Sequence, residues 1–298
     1  MQFSIYQESR RGARKSNQDR IAYCYSRDAL LMLVADGMGG HLHGEIAAQI
    51  AMQSIAAAFR REAKPGLPDA RGFLNQAIAA AHRAIVENAA QAKLPEAPRT
   101  TCVACVVQDG AACWAHAGDS RLYHIRNGGV LAQTKDHSLV QQLIDRGRIR
   151  EEAVAAHPER NRIFNCLGSQ QRPRVDLSEL TRLDPGDTLI LCSDGLWGPL
   201  SSKIISGAML KDGIMQAVPE LLDEAERRAG RECDNLSVIA FTWEGQPPAA
   251  QSEPAVSRAA ALDPAATETQ NDYLSDDEIE HAIARIRSAI KGQSNDQT

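Results

Sequence analysis

Short apolar segments separated by turn residues constrain the fold of this chain more than any other feature of its sequence. Eight of these segments have the length and the Val, Ile, Leu and Cys content that are typical of buried β-strands. They lie at 3–9, 19–25, 30–36, 100–108, 111–118, 121–126, 187–193 and 236–243. Tight turns at Asp109-Gly110 and Asn127-Gly128-Gly129 favour antiparallel pairing of the strands that they join.

Helical spacing of Ala and Leu is found between the strand segments. It predicts helices at 43–61, 68–92, 136–146, 201–211 and 213–229. Two groups of strands with helices between them favour an α+β fold over a repeated βαβ pattern.

The last fifth of the chain differs in composition from the rest. Residues 245–271 are rich in Pro, Ala, Gln, Ser and Thr, which predicts a flexible linker. Ser275 and Glu278 then form a capping box at the start of a short helical pattern. The apolar stripe of that pattern consists of Ile279, Ile283, Ile286 and Ile290. We therefore expect a folded domain over 1–244, a linker, and a C-terminal amphipathic helix and tail over 272–298. This helix is expected to dock on the domain, on a second copy or on a partner.

Charge and cysteine content restrict the class of protein. The net charge is −5, and residues 245–298 carry all of it, with nine acids and four bases. A nucleic-acid-binding protein would normally be basic, so we expect no nucleic-acid partner. No apolar run approaches the roughly 20 residues of a membrane span, so no membrane partner is expected either. The sequence start lacks the pattern of a signal peptide, and seven cysteines without one predict reduced thiols in the cytoplasm.

Aspartates occur where apolar segments end, next to glycines. The clearest cases are Asp36-Gly37 after 30–35 and Asp194-Gly195 after 189–193. Three further aspartates have similar positions, namely Asp19, Asp119 and Asp234. A single strand-end aspartate is more often a turn cap, but several together repel one another unless cations neutralise them. Sites built only from oxygen ligands suit Mg²⁺ or Mn²⁺, and a pair of such ions activates water for attack on phosphorus.

Six short motifs follow one another along the chain in an order that is typical of a known protein family. They read Arg14-Lys15-Ser16-Asn17-Gln18-Asp19, Asp36-Gly37-Met38-Gly39-Gly40-His41, Gly118-Asp119-Ser120-Arg121, Asp136-His137-Ser138, Ser193-Asp194-Gly195-Leu196-Trp197 and Asp234-Asn235. Over about residues 3–243 this series resembles the metal-dependent protein phosphatases, the type 2C or PPM family, in their bacterial stand-alone form. Each motif alone is weak, and the specificity lies in six of them occurring in order.

The resemblance implies an α-β-β-α sandwich in which two antiparallel sheets face each other between layers of helices. It also implies a cleft at one end of the sandwich that holds two Mn²⁺ or Mg²⁺ ions. Asp36 would bridge both ions, and the Gly37 carbonyl would bind one of them. Asp194 and Asp234 would bind the other.

Further residues receive roles from the same resemblance. Asp19 would act through a metal-bound water, Asp119 would hold a weaker third ion, and Arg14 would bind the substrate phosphate. The implied reaction is in-line attack of a metal-bridging hydroxide on phosphoserine or phosphothreonine in proteins, opposing Ser/Thr kinases. The expected partners are phosphorylated proteins, a kinase and its substrates.

Three positions depart from the family pattern. Met38 stands where animal members have a histidine that is proposed to protonate the leaving group, which leaves the general acid unassigned. His41 is a weak candidate for that role. Gln18 replaces a usual glutamate, and Gly198 stands where many members have a carboxylate near a third metal. The segment 144–176 falls where the family has a flap beside the active site.

Two other hypotheses remain open from the sequence. Cys166 and Arg172 have the Cys-x5-Arg spacing of cysteine phosphatases, in which a thiolate attacks phosphorus. The chain could also be a regulator that binds phosphoproteins without hydrolysing them, since a linker with an amphipathic helix suits a docking device.

Overall fold

A computed structural model describes residues 1–38, 43–150, 153 and 157–245. Its strands form two antiparallel sheets. The strands are β1 (Gln2–Arg10), β2 (Arg20–Tyr25), β3 (Ala29–Ala35), β4 (Cys102–Gln108), β5 (Ala111–Ala117), β6 (Arg121–Arg126), β7 (Gly129–Gln133), β8 (Asp176–Leu177), β9 (Thr181–Arg182), β10 (Thr188–Cys192) and β11 (Leu236–Gly245). Sheet A has the order β1-β11-β10-β6-β7, and sheet B has the order β2-β3-β4-β5-β8, with β9 also paired to β5.

Helices cover the outer faces of both sheets. They are α1 (Gly44–Glu62), α2 (Ala70–Gln91), α3 (Leu139–Asp145), α4 (Asp194–Trp197) and α5 (Ser202–Ala229). One apolar cluster lies between sheet B and helices α1 and α2, a second lies between the two sheets, and a third lies between sheet A and α5. The predicted α-β-β-α sandwich is therefore confirmed.

Strand β3 shows why the sequence forms layers. All seven of its residues are buried. Leu31 and Leu33 point into the cluster beneath the helices, whereas Leu30 and Met32 point into the cluster between the sheets. Because successive side chains of a strand point to opposite faces, a strand covered on both sides must be apolar throughout.

The eight predicted strands and the five helices predicted within 43–229 all have counterparts. The turn residues Asp109, Gly110, Asn127 and Gly128 adopt positive φ, as tight hairpins require. The two helices predicted at 201–211 and 213–229 form one element, α5, with a break at Gly213, where φ is 65° and ψ is 170°. Sequence patterns did not predict β7, because its residues are mostly exposed and carry no buried alternation.

The predicted boundary at 244 falls next to the last residue of β11. The linker predicted for 245–271, apart from Gly245, and the helix and tail predicted for 272–298 lie outside the described residues, so this division stays a prediction. Among the described helices, none is long and apolar enough to cross a membrane.

Candidate active site

Strand register brings the candidate aspartates to one end of the sandwich. In sheet B, Arg20 pairs with Ala35, so the residue before β2 and the residue after β3 are neighbours. In sheet A, Cys192 pairs with Val238, so the residue after β10 lies beside the residues before β11. Asp19 and Asp36 are the two neighbouring residues in sheet B, Asp194 lies two residues after β10 and Asp234 two residues before β11, and Asp119 follows β5 at the same end of sheet B.

Asp36 is held at the centre of this group through its backbone. Its N–H donates to Thr101 Oγ1 at 3.1 Å, and its carbonyl accepts from the Thr101 N–H and from Thr100 Oγ1, each at 2.9 Å. Burial raises the pKa of Asp36 well above its ordinary value, and the negative charges of the four other aspartates raise it further. A cation beside this carboxylate would favour its ionised form.

Asp194 and Asp234 lie on adjacent loops of sheet A. Burial, followed by the charges of Asp234 and Asp19, raises the pKa of Asp194 to about 7. A Cβ atom on Gly195 would lie 2.1 Å from the Asn235 carbonyl oxygen, so only glycine allows these loops to approach so closely. The glycine of the Asp194-Gly195 pair thus allows the carboxylate of Asp194 to lie beside that of Asp234.

Arg14 is the cation that faces this group from the loop after β1. Its Nη2 donates to Asp234 Oδ2 at 2.5 Å, while its side chain remains 57% exposed. The same loop is fastened by Asn235, whose side chain donates to the carbonyls of Arg11 and Ser16 and accepts from the Gln18 N–H. Arg14 is therefore aimed at the carboxylates and remains open to solvent.

Asp19 and Asp119 are almost fully buried, with 3% and 2% of their surface exposed. Asp19 Oδ2 accepts from Ser193 Oγ at 2.8 Å, but Asp19 Oδ1 and Asp119 Oδ1 have no hydrogen-bond partner among the described residues. Burial raises the pKa of Asp19 to about 6 and that of Asp119 well above its ordinary value. Buried carboxylate oxygens without donors, in a site made of oxygen ligands, fit hard divalent cations.

Two contributors to the site were not recognised from the sequence. Thr101 Oγ1 lies 2.7 Å from Ser120 Oγ, so this threonine joins the loop of Asp36 to the loop of Asp119. Asn235 fastens the Arg14 loop as described above. The position of Asn235 directly after a candidate ligand was an available signal, whereas the role of Thr101 depends on a contact between strands.

The positions that depart from the family pattern are partly described. Met38 offers no proton to a leaving group, and His41 lies outside the described residues. Gln18 donates from Nε2 to Glu45 at 2.8 Å, so this carboxylate faces the glutamine one residue before Asp19. The Gly198 N–H donates to the Asp194 carbonyl at 2.7 Å and closes the short helix α4.

The Cys-x5-Arg segment lacks the features of a thiolate site. Cys166 is buried, and burial raises the pKa of its thiol. The amides that follow it are already used, because the Leu167 N–H donates to the Thr100 carbonyl and the Gly168 N–H donates to His82 Nδ1. A cysteine phosphatase needs an ionised thiol and amides that face the phosphate, whereas here the thiol has a raised pKa and the first two amides after it have other partners.

Known proteins share this fold and sequence pattern. Residues 6–215 match the family Protein phosphatase 2C. The serine/threonine protein phosphatase PstP of Mycobacterium tuberculosis is 33% identical over 232 residues, which are 78% of this chain and 43% of that protein. This chain thus spans less than half the length of that relative. Protein phosphatase PhpP of Streptococcus pneumoniae is 33% identical over 219 residues, with 72% and 84% covered.

A solved structure provides a further comparison. The catalytic domain of serine/threonine protein phosphatase PstP in complex with two manganese ions superposes with a TM-score of 0.68 at 32% identity. The superposition covers 80% of this chain and 97% of that one.

Proposed function

Because this chain belongs to the protein phosphatase 2C family, we propose that it is a metal-dependent phosphatase that removes phosphate from phosphoserine and phosphothreonine in proteins. The observation that supports this most is the group of five aspartates at one end of the sandwich. Asp19 and Asp119 have unpartnered buried oxygens, and the pKa values of these two, of Asp36 and of Asp194 are raised. Such a group is unfavourable in a fold unless it binds cations, because like charges repel and burial removes their hydration.

The residues proposed to hold cations follow from the geometry and from the family. Asp36, the Gly37 carbonyl, Asp194 and Asp234 would hold two divalent ions, and Asp119 would hold a weaker third. Manganese in the related structure supports Mn²⁺, and Mg²⁺ has the same preference for oxygen ligands. When bound, the two ions supply Lewis acidity that lowers the pKa of water and neutralises phosphate charge. Asp19 would accept a hydrogen bond from water in the site through its free Oδ1.

Arg14 is proposed to bind the phosphate of the substrate. Its guanidinium now neutralises Asp234. The hydrogen bond to Asp234 and the nearby carboxylate charges raise the pKa of Arg14 above its ordinary value, against burial, which lowers it. If Asp234 turns to a cation instead, the fork of Arg14 becomes available to two phosphate oxygens at once. Its exposure allows contact with a substrate as large as a protein.

The finer assignments are part of the same proposal. The substrates would be phosphoproteins made by a Ser/Thr kinase in the cytoplasm, and the helix predicted over 272–298 would dock on the domain, on a second copy or on a partner. Assays of the full chain can test the chemistry without knowledge of the physiological substrate.

The test is phosphate release from a phosphothreonine peptide by the full chain. We expect Mn²⁺ to support turnover, EDTA to abolish it, and added Mn²⁺ to restore it. The control is Cys166→Ser, which should keep full activity because Cys166 is a buried thiol. EDTA-resistant activity that disappears in Cys166→Ser would support thiol chemistry instead. Peptide binding without phosphate release would support the non-catalytic regulator.

A further inference from the structure

Two histidines and an aspartate lie together beside the loop of Asp119. The ligand atoms of His116, His137 and Asp176 all lie within 4.8 Å of one another. The two imidazole rings stack with their centroids 4.7 Å apart, and both residues are at least 95% buried. Such a cluster has the residue types of a transition-metal site, so the protonation of each ring decides what it can do.

The hydrogen bonds around His137 fix the position of its proton. Nδ1 accepts from the Gly118 N–H at 3.1 Å and lies 2.6 Å from Asn165 Nδ2. The orientation of the Asn165 amide is fixed, because its Oδ1 accepts from the Arg174 N–H at 2.9 Å and its Nδ2 donates to the Arg174 carbonyl at 2.8 Å. Nδ1 therefore faces two donors and carries no proton, so a neutral ring has its proton on Nε2.

Nε2 is the atom that faces the cluster. It lies 3.3 Å from Asp176 Oδ2, but it makes no hydrogen bond among the described residues. Burial lowers the pKa of His137, which agrees with a neutral ring. A metal ion would need the Nε2 lone pair, which this tautomer lacks. His116 and Asp176 alone are too few ligands, so these residues do not form a metal site.

We infer that His137 is a positioning residue for the turn that carries Asp119. Its Nδ1 accepts hydrogen bonds from the Gly118 N–H and from the Asn165 amide, and so ties the segment 162–176 to that turn, while Asp176 lies close to its other ring nitrogen. The functional part of this inference rests on the proposed function, because Asp119 is proposed there to hold the weaker third cation.

The backbone and the side chain of His137 each form a hydrogen bond with Gly118. The His137 N–H donates to the Gly118 carbonyl at 2.9 Å, while the Gly118 N–H donates to the His137 ring. Gly118 has φ of 118°, and a Cβ atom there would lie 2.6 Å from Thr101 Cβ. Gly118 thus adopts a conformation reserved for glycine, and both of its backbone polar groups are satisfied by one residue.

The segment 162–176 approaches His137 through several independent contacts. The Phe164 N–H donates to the His137 carbonyl at 3.0 Å, and the Leu139 N–H donates to the Arg162 carbonyl at 2.9 Å. Arg174 donates to both oxygens of Asp176, at 2.6 and 2.9 Å. A displacement of this segment would therefore move His137 Nδ1, which accepts from the Gly118 N–H. Gly118 directly precedes Asp119.

Nuclear magnetic resonance of the full chain tests the tautomer directly. We expect the ¹⁵N signals of His137 to show a protonated Nε2 and an unprotonated Nδ1 in the absence of metal. Addition of Zn²⁺ or Mn²⁺ alone should leave that tautomer unchanged. A proton on Nδ1, or direct binding of either metal ion by His137, would overturn the inference whether or not the chain has phosphatase activity.

Substitutions test the positioning role. In His137→Phe the ring volume stays but the acceptor is lost, so the Gly118 amide should exchange with solvent about tenfold faster. Loss of a supporting contact of this kind typically weakens metal affinity by about 10–100-fold, and we expect this change for the weakest Mn²⁺ site in a titration. In His137→Asn the side-chain oxygen can take the place of Nδ1, so Gly118 protection should largely return.

The matched control is His116→Phe. His116 stacks on His137, and its Nε2 lies 2.8 Å from the Lys135 carbonyl, with no bond to Gly118. This variant keeps the stacked ring and should leave both Gly118 exchange and Mn²⁺ affinity unchanged. Equal effects of His116→Phe and His137→Phe on these two quantities, or no recovery in His137→Asn, would mean that His137 acts only by packing. Either result would overturn the inference.

Discussion

The two ends of strand β10 each have an aspartate, buried at Asp187 and half-buried at Asp194, but only Asp187 is neutralised by side chains of the protein. Asp187 precedes the strand and accepts from Arg126 Nε at 2.6 Å, from Arg126 Nη2 at 2.7 Å and from the Asp184 N–H at 3.0 Å, while His124 Nε2 lies 2.8 Å away. Asp194 follows the strand and lies among other aspartates. The first carboxylate has its own hydrogen-bond donors, and the second is the one for which we propose a cation from solution.

The pKa values of the two carboxylates follow this difference. Burial alone would raise the pKa of Asp187, but hydrogen bonds from Arg126 and His124 hold it below its ordinary value. Burial raises the pKa of Asp194 to about 7, and neighbouring carboxylates add to the rise. A carboxylate with its own donors contributes to folding, whereas one that is left to repel its neighbours is retained for binding.

The largest expected effect is that of Asp36→Asn on activity. This change removes the carboxylate proposed to bridge both cations, so phosphate release with Mn²⁺ should fall by about 10³-fold or more. The fold should survive, because the backbone bonds of Asp36 to Thr100 and Thr101 do not involve its side chain. Steady-state kinetics and circular dichroism measure the two quantities.

The matched control for this change is Asp109→Asn. Asp109 lies in a tight turn with φ of 53°, a conformation that asparagine adopts readily, so the variant should keep full activity. Full activity in Asp36→Asn would refute the assignment of the site.

The next effect concerns stability at the other end of β10. In Asp187→Ala, buried His124 loses its partner and Arg126 loses two hydrogen bonds, so the free energy of unfolding should fall by about 2–3 kcal/mol. Activity measured well below the melting temperature should stay within about twofold of the original. Denaturant unfolding and the peptide assay separate these two results.

Asp184→Ala is the control for Asp187→Ala. Asp184 also pairs with Arg126, at 2.7 Å, but its side chain is 58% exposed, so its loss should change stability by less than about 1 kcal/mol. If Asp184→Ala and Asp187→Ala destabilised the chain equally, the buried donors around Asp187 would not be what distinguishes the two ends of the strand.

The sequence predicted one end of β10 better than the other. Asp194 stood out because an apolar run ends there in Asp-Gly, and the order of the motifs added the remaining aspartates. Asp187 did not stand out, because its partners His124 and Arg126 lie about 60 residues away and come near it only through the pairing of β6 with β10. Periodicity predicts which residues are buried, but it does not show which buried charges find partners across a sheet.

The same limit applies elsewhere in the fold. The antiparallel sheets and their helices follow from alternation and turn residues that are local in sequence. Strand β7 and the contact of His137 with Gly118 depend on neighbours supplied by the folded chain. Local patterns therefore predicted the layers and the ends of the strands, whereas the hydrogen bonds that hold the site in place required the structure.

The smallest effect is a pH-dependent gain of stability in Asp194→Asn without metal. Because the folded pKa of Asp194 is raised to about 7 from 3.8, the folded chain binds more protons than the unfolded chain between these values. Its contribution to stability is therefore present below about pH 4 and is lost as the pH rises to about 7. Asparagine does not titrate, so the free energy of unfolding of Asp194→Asn should match that of the original chain at pH 4 and exceed it by about 1 kcal/mol or more at pH 7.5.

Saturating Mn²⁺ should reverse this order of stability at pH 7.5, because the cation stabilises only a chain that can bind it. Melting curves at several pH values in EDTA and in Mn²⁺ measure these differences, with about 2–4 °C expected per kcal/mol. A constant difference across this pH range would mean that neither burial nor the neighbouring carboxylates raise the pKa of Asp194, and the contrast between the two ends of β10 would then fail.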